Sequence, residues 1–135
     1  MRLWVTTLLA LAACAAEIPE GQRIDGIDWR LVEMDGAPWF DDVSLRIDGD
    51  RLSGVAPCNA YSGAQAATAP GFAAREIGVT RMACADPARN RAEALYISRL
   101  AGIEAMRRDG PRLVLTGPGT AMVFERREAR RDEVF

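Results

Sequence analysis

Apolar and polar residues alternate with a period of two along several stretches of this chain, and recur every three to four residues along one. Ile27, Trp29 and Leu31, spaced by Asp28, Arg30 and Val32, predict a half-buried first strand. Asp35-Gly36 supplies a turn, and Trp39 and Phe40 after Pro38 read as a plug over one end of a sheet, with a ligand-binding aromatic patch as the alternative. Val43, Leu45 and Ile47 alternate with Ser44, Arg46 and Asp48, and a second run follows from Arg51 to Ala56. The intervening Asp48-Gly49-Asp50 predicts a tight antiparallel hairpin. Gly54, inside the second of these strands, marks a bulge or a close backbone approach.

Tyr61 to Thr68 and Phe72 to Val79 alternate weakly and are split by Ala69-Pro70-Gly71, which predicts a second hairpin. Asp86-Pro87 then opens a helix: the aspartate accepts from the first free amides, and the proline occupies a position whose amide needs no partner. Ala92, Leu95, Tyr96, Leu100 and Ile103 place one apolar face along it, running to about Gly102. Segments 103–107, 112–116 and 121–127 read as closing strands, joined through Asp109-Gly110 and Gly117-Pro118-Gly119. One helix set among antiparallel strands predicts an α+β fold, a curled, barrel-like antiparallel sheet with one main helix packed on it.

The N-terminus changes the picture from a plain soluble domain. Met1-Arg2 precedes an apolar run from Leu3 to Ala13, shorter than the roughly 20 residues that span a bilayer, so residues 1–13 read as a signal peptide. Leu11-Ala12-Ala13-Cys14 matches a bacterial lipobox, which makes Cys14 the expected lipidation site and the mature N-terminus; ordinary cleavage near Ala13 or Ala15 is the alternative. Each lipid methylene buried contributes about 0.8 kcal/mol, so several acyl chains on one cysteine give a durable anchor. Ala15 in place of aspartate favours the outer membrane, facing the periplasm. Residues 14–26 lack apolar periodicity and read as a tether, 27–127 as the domain and 128–135 as a charged tail. The chain has three cysteines. With Cys14 lipidated, Cys58 and Cys84 are left as a pair in a compartment that permits disulfides; two buried free thiols are the alternative. A bridge between them would stabilise the fold by roughly 3–4 kcal/mol.

Composition narrows the chemistry. At 135 residues, 49% hydrophobic and 27% charged, the chain suits one globular domain, expected to be a monomer. A formal net charge of −2 provides no basic footprint, which argues against nucleic acid. The sequence holds no histidine, which removes histidine-based nucleophile pairs and histidine-ligated metals. No phosphate-binding glycine loop is present, and Cys58 and Cys84 are not a Cys-x-x-Cys pair. Asp41-Asp42 and Asp48 with Asp50 fall in turns, where carboxylates are ordinarily solvated rather than catalytic or metal-binding. The expectation is therefore no catalytic residue, no metal and no cofactor.

Two short motifs, Pro57-Cys58-Asn59-Ala60-Tyr61-Ser62-Gly63 and Thr80-Arg81-Met82-Ala83-Cys84, stand ahead of the helical segment that carries Glu93 and Leu100. In order and spacing they resemble the META domain, the family of the heat-shock protein HslJ. That family has a Gly-Cys-Asn-x-x-x-Gly turn, a Thr-x-Met-Ala-Cys turn and a Glu-x-x-x-x-x-x-Leu helix; Pro57 stands here where the first glycine usually does. The resemblance spans 27–127 and singles out Asn59, Tyr61, Gly63, Thr80, Met82 and Glu93. Glu93 is expected to be structural, pairing with an arginine such as Arg81 or Arg89 or accepting amides from the cysteine turns. Asn59, Tyr61 and Thr80 read as turn-fixing groups rather than a substrate site. The resemblance implies a non-enzymatic, stress-related envelope lipoprotein that is held to the membrane through Cys14 and contacts an envelope protein or small hydrophobic ligand. The alternative is a periplasmic inhibitor or assembly factor presenting the loop from Trp39 to Asp42.

Overall fold

Wherever the chain alternates, it forms a strand. The computed structural model describes residues 17–82 and 84–128. Among them nine strands form one antiparallel sheet: β1 (Trp29–Met34), β2 (Ala37–Pro38), β3 (Ser44–Asp48), β4 (Arg51–Val55), β5 (Ala60–Gln65), β6 (Ala74–Val79), β7 (Ala105–Asp109), β8 (Arg112–Gly117) and β9 (Thr120–Arg126). A helix, α1 (Pro87–Ala101), connects β6 to β7. The spatial order is β6-β5-β4-β3-β1-β9-β8-β7, with β2 folded back on β1.

The sheet curls into a half-barrel. Met106 N donates to Pro70 O at 2.8 Å and Phe72 N to Glu104 O at 2.9 Å, so the β5–β6 loop reaches the outer strand β7. Helix α1 turns Tyr96 and Leu100 into the core. Trp29, Tyr96, Phe72 and Phe124 are the largest fully buried side chains. Burying each contributes roughly 1.5–3 kcal/mol.

Both predicted hairpins form, with Asp48 opposite Arg51 in the first and Gln65 opposite Ala74 in the second. The helix begins as read: the Asp86 carboxylate caps it by accepting from Ala88 N at 2.9 Å, and Pro87 follows. Gly54 is a point of close approach. A Cβ there would lie 2.1 Å from Ser44 O and 2.8 Å from the Tyr61 hydroxyl, so no larger residue fits.

Several expectations are corrected. Leu95 is 43% exposed, because α1 packs through Tyr96 and Leu100 with Ile97 beside them, leaving Leu95 at the edge of the apolar face. In β1 the register shifts between Leu31 and Glu33, which puts both Leu31 and Met34 inside and ends the simple alternation. Trp39 packs against the core, but Phe40 is 93% exposed, so only the tryptophan plugs. The tether read as 14–26 ends early. Gly26 N donates to Ile47 O at 2.8 Å, Ile24 O accepts from Trp29 Nε1 at 3.1 Å, and Arg108, stacked 4.9 Å over Trp29, donates to Arg23 O.

Candidate functional site

The antiparallel pairing of β4 with β5 brings Val55 opposite Ala60 at one end and Arg51 opposite Ala64 at the other. The connection 56–59 therefore projects from the end of the sheet where β6 also terminates, with Thr80 N donating to Ala60 O at 2.9 Å. Cys58 and Cys84 meet there in a disulfide with a Cα–Cα distance of 5.6 Å. The bridge joins the two motifs, as cysteine parity suggested.

Glu93, in the second turn of α1, faces these turns. Its Oε2 accepts from the amides of Cys58 and Asn59, each at 2.8 Å, and its Oε1 from Asn59 Nδ2 at 2.7 Å. Of the two structural roles expected, amide capture is the one observed. No ion pair among the described residues involves Glu93; Arg89 donates instead to Pro57 O. Asn90 Nδ2 adds a bond to Cys84 O at 3.0 Å.

Asn59, 9% exposed, is the hub. While its two donors go to Glu93, its Oδ1 accepts from Met82 N at 2.6 Å and Thr80 Oγ1 at 3.2 Å. Thr80 Oγ1 in turn accepts from Ala60 N at 3.1 Å. One amide thus joins the first motif, the second motif and the helix, because its carbonyl meets only donors and its NH2 only a carboxylate. Met82 contributes its backbone, while its side chain is 64% exposed.

Tyr61 points the other way, into the core. Its hydroxyl donates to Ser44 O at 2.7 Å, so the Tyr96 hydroxyl, also 2.7 Å away, is the donor to Tyr61. The rings meet edge to face, 5.6 Å between centroids. Burial pushes both phenols well above their ordinary pKa, so both stay protonated. Gly63 lies where β5 and β6 shift register. A Cβ there would come within 2.9 Å of Arg75 O, which explains the glycine.

The site residues named from sequence thus fall into one network (Asn59, Thr80, Glu93, the Met82 amide and the Cys58–Cys84 bridge), with Tyr61 and Gly63 in the sheet beneath it. Cys14 lies outside the described residues. Asp42 pairs with Arg127 at 3.1 Å, and Asp48 with Arg46 at 2.9 Å. Among the described residues no cluster of three or more carboxylate, cysteine or histidine groups could hold a metal. Sequence reasoning did not identify Asn90, Tyr96 or Ser44 as participants. Asn90 and Tyr96 lie three residues to either side of Glu93, helical spacing that places them on neighbouring turns.

Chemically, this arrangement fixes three segments to one another. The Glu93 carboxylate meets three N–H donors. Charge-assisted bonds of this kind are about twice as strong as neutral ones.

Comparison with known proteins agrees with this architecture. An NMR structure of a protein from Burkholderia xenovorans superposes with a TM-score of 0.63 at 21% identity, over 90% of this chain and 100% of that one. A second NMR structure gives a TM-score of 0.60 at 20% identity, over 76% of this chain and 90% of the other. These likenesses show the fold. No curated protein matches the chain. The model of the META domain matches residues 22–129, and the chain therefore belongs to the META domain family.

Proposed function

We propose that this protein is a non-enzymatic envelope lipoprotein, anchored through Cys14 in the outer membrane and facing the periplasm, whose META domain serves stress-related binding or a structural role. The observation that carries the reading is the commitment of the motif side chains to one another: Glu93, Asn59 and Thr80 exchange their hydrogen bonds within the network. A catalytic carboxylate needs an oxygen that faces a substrate, whereas both oxygens of Glu93 accept N–H groups of the first motif. The Cys58–Cys84 bridge suits an oxidising compartment, and the leader and lipobox supply the route to it. Mass spectrometry of the mature protein from its native envelope tests the reading. A diacylglyceryl-modified Cys14 at the N-terminus is expected, and an unmodified alanine terminus overturns the anchor.

A second reading has its own observation. Phe40 is 93% exposed beside Trp39, in the loop that an inhibitor or assembly factor would present to an envelope protein. Pull-down from detergent-solubilised envelopes, with Phe40→Ser as the control, tests it. A stoichiometric partner lost on substitution favours this reading, and an unchanged or empty pull-down removes it.

A further inference from the structure

At the end of the half-barrel opposite the cysteine turns, the segment from Ile18 to Gly26 runs beside the β3–β4 turn and leaves a cleft of about 600 Å³. A second hollow of about 410 Å³ adjoins it; the two share Asp25, Gly49, Ala69 and Met106. Its walls are largely apolar: Ile18, Ile24, Ala69 and Met106 line the larger part, and Ile47 the smaller. Ile47 and Met106 are nearly inaccessible and belong to the core, so the floor is rigid, while Ile18 is 66% exposed at the lip.

The polar part of the lining combines the neutral Gln22, Gln65 and Thr68 with an excess of acidic over basic groups. Asp25, Asp48 and Asp50 line the cleft against a single guanidinium, that of Arg23. Asp48 is paired with Arg46 at 2.9 Å. Asp25 accepts the Gly49 amide at 2.8 Å and forms no ion pair among the described residues, although on its other side it borders a hollow that Arg46, Arg126 and Arg127 also line. A hollow with an apolar floor and a negative rim repels anionic headgroups and favours cationic ones.

We infer that this cleft binds a cationic amphiphile, with the aliphatic chain on Ile24, Ile47 and Met106 and the ammonium group at Asp25 and Asp50. On the lipid-anchored reading, on which only the source of the ligand rests, Ile18 lies four positions after Cys14, a reach of at most about 14 Å. The cleft then opens close to the lipid surface, where amphiphiles partition.

The test uses the full mature chain and three twelve-carbon probes below their micelle concentrations: dodecyltrimethylammonium, dodecyl maltoside and dodecyl sulfate. Equilibrium dialysis at low salt is expected to show saturable one-to-one binding, tightest for the cation by about fivefold over the neutral probe. Asp25→Asn with Asp50→Asn should bring the cation down to the neutral probe's affinity. Asparagine keeps an acceptor for Gly49, so the fold is retained. Ile18→Ser, at an exposed position, should weaken the cationic and neutral probes alike. Equal affinities for cation and neutral probe, or no saturable binding of any, overturns the inference. Neither outcome touches the anchor, which the mass of Cys14 reads separately.

Discussion

The two ends of the half-barrel are closed by different means. At the cysteine end a covalent bridge and a carboxylate with three N–H donors bind two loops to α1. At the opposite end, residues 23–26 are held by two backbone carbonyls, the Asp25 carboxylate and one arginine. The first is cross-linked and keeps a hollow of about 390 Å³ beside Ala60 and Thr80; the second leaves a larger cleft of about 600 Å³. The difference teaches that the residues most like a functional site, by motif and by clustering, are the ones most occupied with holding the chain together. The larger hollow lies away from the motifs.

Removing the bridge should break the cysteine end most severely. The double substitution Cys58→Ser and Cys84→Ser opens a loop whose ends lie 26 positions apart. The cost is roughly 3–4 kcal/mol, or a fall in Tm of roughly 10–15 °C in a domain of this size. Calorimetry with and without reductant checks it. An unchanged Tm, or two free thiols on the denatured, unreduced mature protein, would show that the bridge does not close.

Glu93→Gln comes next. A carboxamide has one acceptor oxygen where the carboxylate has two, so its NH2 must face an N–H donor of Cys58 or Asn59. Leaving a part-buried donor unpaired and losing the charge costs about 2–3 kcal/mol. Urea unfolding should show the midpoint lowered with its slope unchanged. An unaltered midpoint would mean that the helix does not depend on this carboxylate.

The opposite end should yield less. Arg108→Ala removes the guanidinium that stacks on Trp29 and donates to the carbonyls of Arg23 and Gly110. A loss of about 1 kcal/mol is expected. Faster amide exchange at Gly26 and Gly49, with the cysteine turns unaffected, would locate the loosening at the cleft. Faster exchange at Cys58 or Asn59 instead would mean that the two ends are not independent.

Much of this contrast can be read from the sequence, because its causes are local. Alternation places Trp29, Leu45 and Ile47 inside, Asp86-Pro87 fixes the start of α1, and cysteine parity pairs Cys58 with Cys84. Glu93 is recognisable as a structural acid, since a carboxylate leaving water needs donors and the turns offer amides. What escapes is set by distant partners. Asn59 reads as a turn residue, and nothing nearby reveals that its side chain reaches both Met82 and Glu93. The docking of 23–26 rests on Trp29 and Arg108, 85 positions from Arg23 in the latter case. Leu95 has the right composition for a core face and the wrong angle, since Tyr96 and Leu100 set the buried direction.

Asp35 sharpens the comparison, because it does at the far end of α1 a smaller version of what Glu93 does at the near end. It sits in the β1–β2 turn and accepts from Thr120 Oγ1 at 2.7 Å and Ala121 N at 2.9 Å, with Arg99 Nε 3.6 Å away. That last distance is too long for a hydrogen bond but close enough for charge attraction. The Ala121 amide first and then the Thr120 hydroxyl hold its carboxyl below the ordinary 3.8; burial opposes them, and the Arg99 charge adds the least. A lowered folded-state pKa stabilises above the unfolded value and is lost as pH falls through the folded one. Asp35→Asn keeps an acceptor for both donors, and asparagine tolerates the φ of +51° at this position, so the substitution isolates the charge. Near pH 7 the variant should melt roughly 2 °C below the parent, the smallest effect of the four, since water screens a carboxylate about a third exposed. Well below pH 3.8 both carry a neutral group there, so the gap should close. A gap that persists in acid would mean that the carboxylate's geometry, not its charge, ties the turn to the helix.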